Sequence, residues 1–447
     1  MTSLAMTPTT IGLLMFAGML VLMAIRIPIA AAMFVPGALG YWAMTNHSAL
    51  LNVLKGSSVA RLTIYDLSVI PLFLLMGQFA TQGGLSRALF NAAAAFVGHV
   101  RGGLAMASIF AAGAFGAVCG SSVATAATIT QVAYPEMKRL GYKGRLSTAT
   151  LATSGTLGIL IPPSVPLVVY AILTEQSIGK LFAAAMIPGI LAMLGYVAVV
   201  ALICKLKPDL APAAMPLAWS KRWTALLGVW PIMTIFVAVF GGIYGGIFSP
   251  TEGAAVGAVL TLAAAVMNRE MSWSALWKSC TATAETSAMV FLIFLGADMM
   301  NAALAITQMP AAVAEWVTGL HVSSIFIIAA ILAMYILLGC VMDELSMLLL
   351  TIPVIFPAVM SLEIYGLGPE MKAIWFGILV LMTVGIGMIA PPVGLNVYVV
   401  NNLAKDVPMN ETYKGVFPFL AWDMIRVGLM LAFPILSLGL VKLLFTR

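Results

Sequence analysis

From Leu104 to Tyr134 the chain carries no charged side chain, yet the centre of this run, GAVCGSSVATAATIT from Gly116 to Thr130, consists largely of small and hydroxyl residues. Few architectures accommodate both facts. An apolar helix needs roughly 20 residues to cross the hydrocarbon of a bilayer, so the run is long enough to span. In hydrocarbon an unpaired backbone group costs several kcal/mol, so irregular backbone persists only where protein or a wet cavity surrounds it. Gly120-Ser121-Ser122 therefore predicts two half-length helices meeting at a tip, a re-entrant hairpin. A single spanning helix with a small-residue packing face is the other arrangement the run allows.

Composition supports the membrane setting. Of 447 residues, 62% are hydrophobic and 9% charged, against roughly 25% charged in a soluble domain. That length allows about ten to twelve membrane segments. The net charge of +6 is spread over short loops, which fits a cytoplasmic loop bias and argues against nucleic acid as a partner. Cys119, Cys204, Cys280 and Cys340 stand alone, without CxxC spacing or a histidine cluster, so neither a disulfide nor zinc is expected. There is no HExxH, GxSxG or P-loop, which disfavours an enzyme and an ATP-driven pump. The apolar stretch from Ile11 lacks a basic leader and a cleavage site, so it is expected to remain as a membrane helix.

The second constraint is a pair of double prolines. Leu151 to Leu173 is apolar but interrupted at Gly155, Gly158 and Pro162-Pro163-Ser164. Two adjacent prolines remove two amide donors and push the preceding residue out of the helical region, so this crossing is expected to unwind in its middle. Gly387-Met388-Ile389-Ala390-Pro391-Pro392 repeats the pattern. Ile325 to Met360 likewise repeats the hairpin, with its break at Gly339 to Ser346, and in the ungapped register Ser121 falls on Asp343. Pro28 pairs with Pro250, and the LLMGQFA stretch around Gly77 pairs with IFLGADM around Gly296. Gly296 and Asp298 are expected to interrupt the Ala288 to Leu304 helix.

Loop charge orients the two units. The base of the first hairpin, Pro135 to Arg145, has four basic residues against one acid, whereas Ser361 to Glu370 has acids and no base. By the positive-inside rule the two bases face opposite compartments, as in an inverted-topology repeat of a secondary transporter. The expected first half is 1–204, with a hairpin at about 104–136 and a broken helix at about 147–173. A cytoplasmic linker at 205–222 follows. The second half is 223–447, with a hairpin at about 323–360 and a broken helix at about 372–400. Trp223 to Phe248 is expected to be one helix.

GSSVATAATI from Gly120, LGILIPPSVPLVVYAI from Leu157, FSPTEGA from Phe248 and GIGMIAPPVGLNVYV from Gly385 occur in that order. With these motifs nearly the whole chain resembles the large membrane subunit of tripartite ATP-independent periplasmic (TRAP) transporters, the DctM-like permeases. The resemblance implies an all-α polytopic protein of the bacterial inner membrane, an inverted-repeat elevator-type transporter with two re-entrant hairpins and two unwound helices. It implies sodium-driven uptake of an organic acid anion, such as a C4-dicarboxylate or sialic acid, delivered by a periplasmic binding protein. A small membrane subunit is expected as a separate chain. No cofactor is expected other than sodium as coupling ion. The alternative is a stand-alone sodium-coupled carboxylate carrier of related fold that needs no binding protein.

Sodium prefers hard oxygen ligands, which unwound helices supply as carbonyls beside hydroxyls. One ion is expected between the first tip (Gly120, Ser121, Ser122) and the first break (Ser154, Gly155, Gly158). By pseudosymmetry a second lies among Gly339, Asp343, Thr383, Gly385 and Gly387. Helix packing by the glycines and serines is the competing reading. A substrate carboxylate is expected at the helix N-termini of the tips, near Ser122, Thr125, Pro163, Ser164 and Asn396. Pro162, Pro391 and Pro392 shape the breaks. Asp298 is a candidate coupling residue, because acids inside apolar stretches are costly. Glu252 reads chiefly as a helix cap after Pro250, and Glu285 and Asp423 as interface residues. Trp42, Trp223, Trp230, Trp273, Trp277 and Trp316 read as interfacial anchors.

Overall fold

The computed structural model describes residues 7–25, 27–319 and 322–445, so the extreme ends of the two expected halves lie outside the described residues. Within them every regular element is helical. Six helices are long and apolar enough to cross a bilayer alone, and three further pairs qualify as bent spans. Shorter apolar helices, among them Gly103–Cys119 and Ser324–Gly339, make up the rest of the membrane-length material. The outer surface is itself apolar: Leu13, Leu202, Val237, Val259, Leu292 and Leu443 are exposed, and so are all six tryptophans expected at the interface. Exposed apolar surface on that scale suits a protein solvated by lipid.

Both hairpins form. The first consists of an entering arm, Gly103–Cys119, and a returning arm, Ser122–Arg139. Its tip turns because Gly120 takes φ +68°, a left-handed conformation that glycine alone adopts without steric cost. The Gly120 amide closes on the Gly116 carbonyl at 3.0 Å. Ser121 then extends and caps the returning arm, accepting from the Ala124 amide, as a small hydroxyl residue at that position should. The second hairpin consists of Ser324–Gly339 and Glu344–Ser361. Asp343 caps its returning arm, accepting from the Ser346 amide at 3.2 Å. Ser121 and Asp343 thus occupy the same structural position.

Both broken helices form as well. The first runs Gly144–Gly155, Leu157–Leu160, then an extended Pro162-Pro163 stretch with a cis bond, then Val165–Thr174. The second runs Pro369–Gly387, a Pro391-Pro392 stretch that also holds a cis bond, then Leu395–Leu403.

Three expectations fail. Gly296 and Asp298 do not interrupt a helix, because Trp273–Ile306 is continuous over 34 residues. Gly296 instead lets this helix press against the Ala30 carbonyl, and Gly37 presses back against Met300, a close approach that only residues without a side chain permit. Trp223 to Phe248 is two helices, Trp219–Leu227 and Trp230–Tyr244, bent by 44°, with Pro231 at the start of the second. Asp423 is not at an interface: it is fully buried in the Met409–Ala432 helix.

Candidate functional site

The two hairpins and two broken helices meet at their interruptions. In the first half, a methyl group built at Gly158 would sit 2.6 Å from the Ser121 carbonyl oxygen and would also overlap the Thr125 hydroxyl. One built at Gly116 would sit 2.7 Å from the Gly158 Cα. The Val165 amide donates to the Gly120 carbonyl at 3.3 Å, which ties the tip to the chain two residues past the double proline. The second half repeats this geometry. A methyl at Gly387 would lie 2.6 Å from the Gly339 Cα, and the Gly394 amide donates to the Cys340 carbonyl at 3.1 Å, again two residues past the prolines. Glycines at these contacts allow main chain to touch main chain.

At the interruptions a buried amide side chain links the two halves. Asn396, on the helix after the second break, is completely buried. Its Nδ2 donates to the Ser122 hydroxyl at 2.7 Å and to the Ala152 carbonyl at 3.2 Å. It also lies against Gly155, beside the Ser122 carbonyl. Asn396 therefore joins the second broken helix to the first tip and the first broken helix. Its Oδ1 has no hydrogen-bond partner, nor do the buried hydroxyls of Thr125, Thr150 and Thr153. Buried polar atoms in folded proteins are nearly always paired, so oxygens left free beside a helix break are ready ligands for a cation or an ordered water.

The expected first cation group is brought together in part. Gly120, Ser121, Ser122, Gly155 and Gly158 adjoin one another with Thr125. Ser154 is buried among them, but its hydroxyl donates to the Leu151 carbonyl of its own helix. In the second group Gly339 and Gly387 touch and Asp343 caps the adjoining arm. Thr383 bonds the carbonyls of Leu379 and Val380 in its own helix. Gly385 faces Thr156 and Ile159 of the first broken helix rather than the second hairpin. Among the expected substrate contacts, Asn396 bonds Ser122, Pro163 lies against Gly120, and Ser164 caps Val165–Thr174. Pro162 and Pro163 are buried, whereas Pro391 and Pro392 are exposed, so the two breaks differ in their access to the exterior.

Glu252 forms a full capping box with Ser249: the Ser249 amide donates to its carboxylate at 2.8 Å and its own amide donates to the Ser249 hydroxyl at 3.2 Å. Such a cap is a structural device worth about 1 kcal/mol. Asp298 is half-buried in the continuous Trp273–Ile306 helix. The sequence reading missed Glu344, the first residue of the second returning arm. It is 6% exposed and one of its carboxyl oxygens has no partner. Its carboxyl lies near the Ser122 backbone amide, so an acid of the second hairpin faces the tip of the first. An acid at the first position of a helix looks like an ordinary dipole complement, which conceals such a contact.

Paired helical hairpins set against paired broken helices inside a lipid-facing shell are the framework of a membrane transport protein. The solved YdaH transporter of Alcanivorax borkumensis has this fold, with a TM-score of 0.65 over 97% of this chain and 99% of that one at 15% identity. Residues 16–436 match the family described as the tripartite ATP-independent periplasmic transporter, DctM component, and the chain belongs to that family. It is similar to the C4-dicarboxylate TRAP transporter large permease protein DctM of Pseudomonas aeruginosa, with 35% identity over 84% of this chain and 86% of that protein. It is also similar to the ectoine TRAP transporter large permease protein TeaC of Halomonas elongata, with 30% identity over 98% and 99%. The chain is thus a TRAP large permease, a multi-pass protein of the bacterial inner membrane.

Proposed function

We propose that this permease takes up an organic acid anion by sodium-coupled secondary transport, receiving it from a periplasmic binding protein and working with a separate small membrane subunit. The observation that carries the reading is the junction at Asn396, where both breaks and the first tip converge on buried oxygens that lack partners. Hard oxygens beside half-helix C-termini suit sodium, and tip amides suit a carboxylate. The two hairpins and two broken helices form the moving part of an elevator, and the remaining helices of the halves 1–204 and 223–447 form the scaffold. C4-dicarboxylates are the first substrates to test, since the Pseudomonas aeruginosa relative is named for them. Ectoine, named for the Halomonas elongata relative, also carries a carboxylate.

The test is uptake of radiolabelled organic acids into proteoliposomes holding this chain and its small subunit, with the binding protein outside and a sodium gradient imposed or collapsed. Uptake should require both sodium and the binding protein. Flux indifferent to the gradient would refute the coupling, and uptake without the binding protein would identify a stand-alone carrier.

A further inference from the structure

Asp423 and Arg426 lie well inside the 24-residue Met409–Ala432 helix, 0% and 3% exposed, with Arg426 Nη2 2.7 Å from Asp423 Oδ1. An ion pair at such depth is costly and is retained where it serves a function or a specific structure. It does not stand alone. Tyr196, fully buried on the Ile178–Leu206 helix, points its hydroxyl at both Asp423 oxygens at 2.9 Å. The same hydroxyl oxygen is 3.1 Å from Thr156 Oγ1. Thr156 is the single residue between Gly144–Gly155 and Leu157–Leu160, and its side chain also faces Gly385 of the second broken helix.

Counting hydrogens shows what this chain of contacts does. Tyr196 has one hydroxyl hydrogen, and the carboxylate, which can only accept, takes it. Toward Thr156 the tyrosine oxygen can therefore only accept. Thr156 also has one hydrogen but two acceptors in reach, the Tyr196 oxygen and the Thr153 carbonyl at 2.8 Å. When that hydrogen turns to Tyr196, the Thr153 carbonyl keeps the Thr156 amide at 3.1 Å but loses the hydroxyl. A lone pair is then free at the C-terminal end of a half-helix, where the dipole favours a cation. The buried Thr153 hydroxyl beside it has no partner either.

We propose that Tyr196, Asp423 and Arg426 are positioning residues for the cation at the first break, acting through Thr156. Arg426 pairs with the Asp423 carboxylate, Asp423 orients the Tyr196 hydroxyl, and Tyr196 draws the Thr156 hydrogen away from the carbonyl that serves the ion. Because Thr156 also packs on Gly385, the same contact registers the state of the second broken helix. This inference rests on the sodium-coupled reading above.

The experiment measures uptake by the complete complex in proteoliposomes as a function of sodium. Tyr196→Phe should raise the sodium concentration for half-maximal uptake about five- to tenfold, the net worth of one hydrogen bond. Half-saturation by substrate at saturating sodium should change less than about twofold by the same reasoning. Thr156→Val has no hydroxyl hydrogen to give the Thr153 carbonyl and should keep the sodium dependence near wild type, as should Thr156→Ser. The double variant Tyr196→Phe/Thr156→Val should lose the Tyr196→Phe shift, as members of one chain of contacts do. If Tyr196→Phe fails to assemble, Thr156→Val carries the test: a near-wild-type sodium dependence supports the inference and a severalfold rise overturns it. A Tyr196→Phe complex with unshifted sodium dependence, or a double variant as impaired as Tyr196→Phe alone, overturns this inference alone. A wild-type complex indifferent to sodium overturns the coupling reading and this inference with it.

Discussion

Gly387→Ala tests the closeness of hairpin and broken helix most directly. The added methyl would lie 2.6 Å from both Cα and C of Gly339 and 2.8 Å from the Ile336 carbonyl oxygen. Carbon atoms rest at about 3.5 to 4.0 Å, so the entering arm of the second hairpin must retreat by about 1 Å. Every atom struck is backbone, and no rotamer change relieves it. Overpacking of this kind costs about 1 to 3 kcal/mol, roughly a five- to 150-fold change in a conformational equilibrium. Gly428→Ala is the control, since nothing lies within 4 Å of its added methyl and alanine gains up to about 1 kcal/mol over glycine within a helix. The assay is thermal unfolding of the purified complex alongside uptake. Gly387→Ala should melt several degrees below Gly428→Ala and transport poorly. Coincident melting curves with full uptake would falsify the claimed backbone contact.

Further predictions concern individual side chains. Asn396→Ala leaves the Ser122 hydroxyl and Ala152 carbonyl without a donor; at about 1 to 3 kcal/mol for an abandoned buried group, uptake should fall by about tenfold or more, and near-normal uptake would exclude the junction as the site. Glu344→Gln replaces a buried ionisable carboxyl by a neutral amide, so the complex should melt at the same or a higher temperature while transport declines; a stabler protein with wild-type uptake would remove the carboxyl group from the mechanism. Hydrogen bonds from Lys138 and from the Tyr134 hydroxyl hold the exposed Asp406 carboxyl below its usual range. A carboxyl lowered in the folded state stabilises above its ordinary value of about 3.9 and loses that contribution as pH falls through the lower folded value. The melting difference between wild type and Asp406→Asn should therefore hold steady from about pH 5 to 8 and shrink only below about pH 4; a difference lost by pH 6 would rule the contact out.

The interruptions were legible in the sequence because each has a local cause. Prolines in pairs forbid a continuous helix whatever surrounds them, and Gly120 beside two serines disfavours one. Gly296 and Asp298 misled for the complementary reason. Both are poor helix formers, but a glycine in a helix interior also marks a close approach to another backbone, here Ala30. Local pattern could place Asn396 near a break, yet not show that it bonds Ser122, 274 residues earlier. The spacing of Asp423 and Arg426 announces a pair on one helix face but says nothing of burial, which depends on Tyr196 arriving from another helix. Glu344 was hidden in the same way by the company of Asp343.

Main-chain hydrogen bonds join each tip to its broken helix, from Val165 to Gly120 and from Gly394 to Cys340. Such joints are indifferent to the identity of most side chains around them. A framework held this way can change the side chains lining its centre, and with them its cargo, without renegotiating its shape. Only the few glycines at the joints lack that freedom.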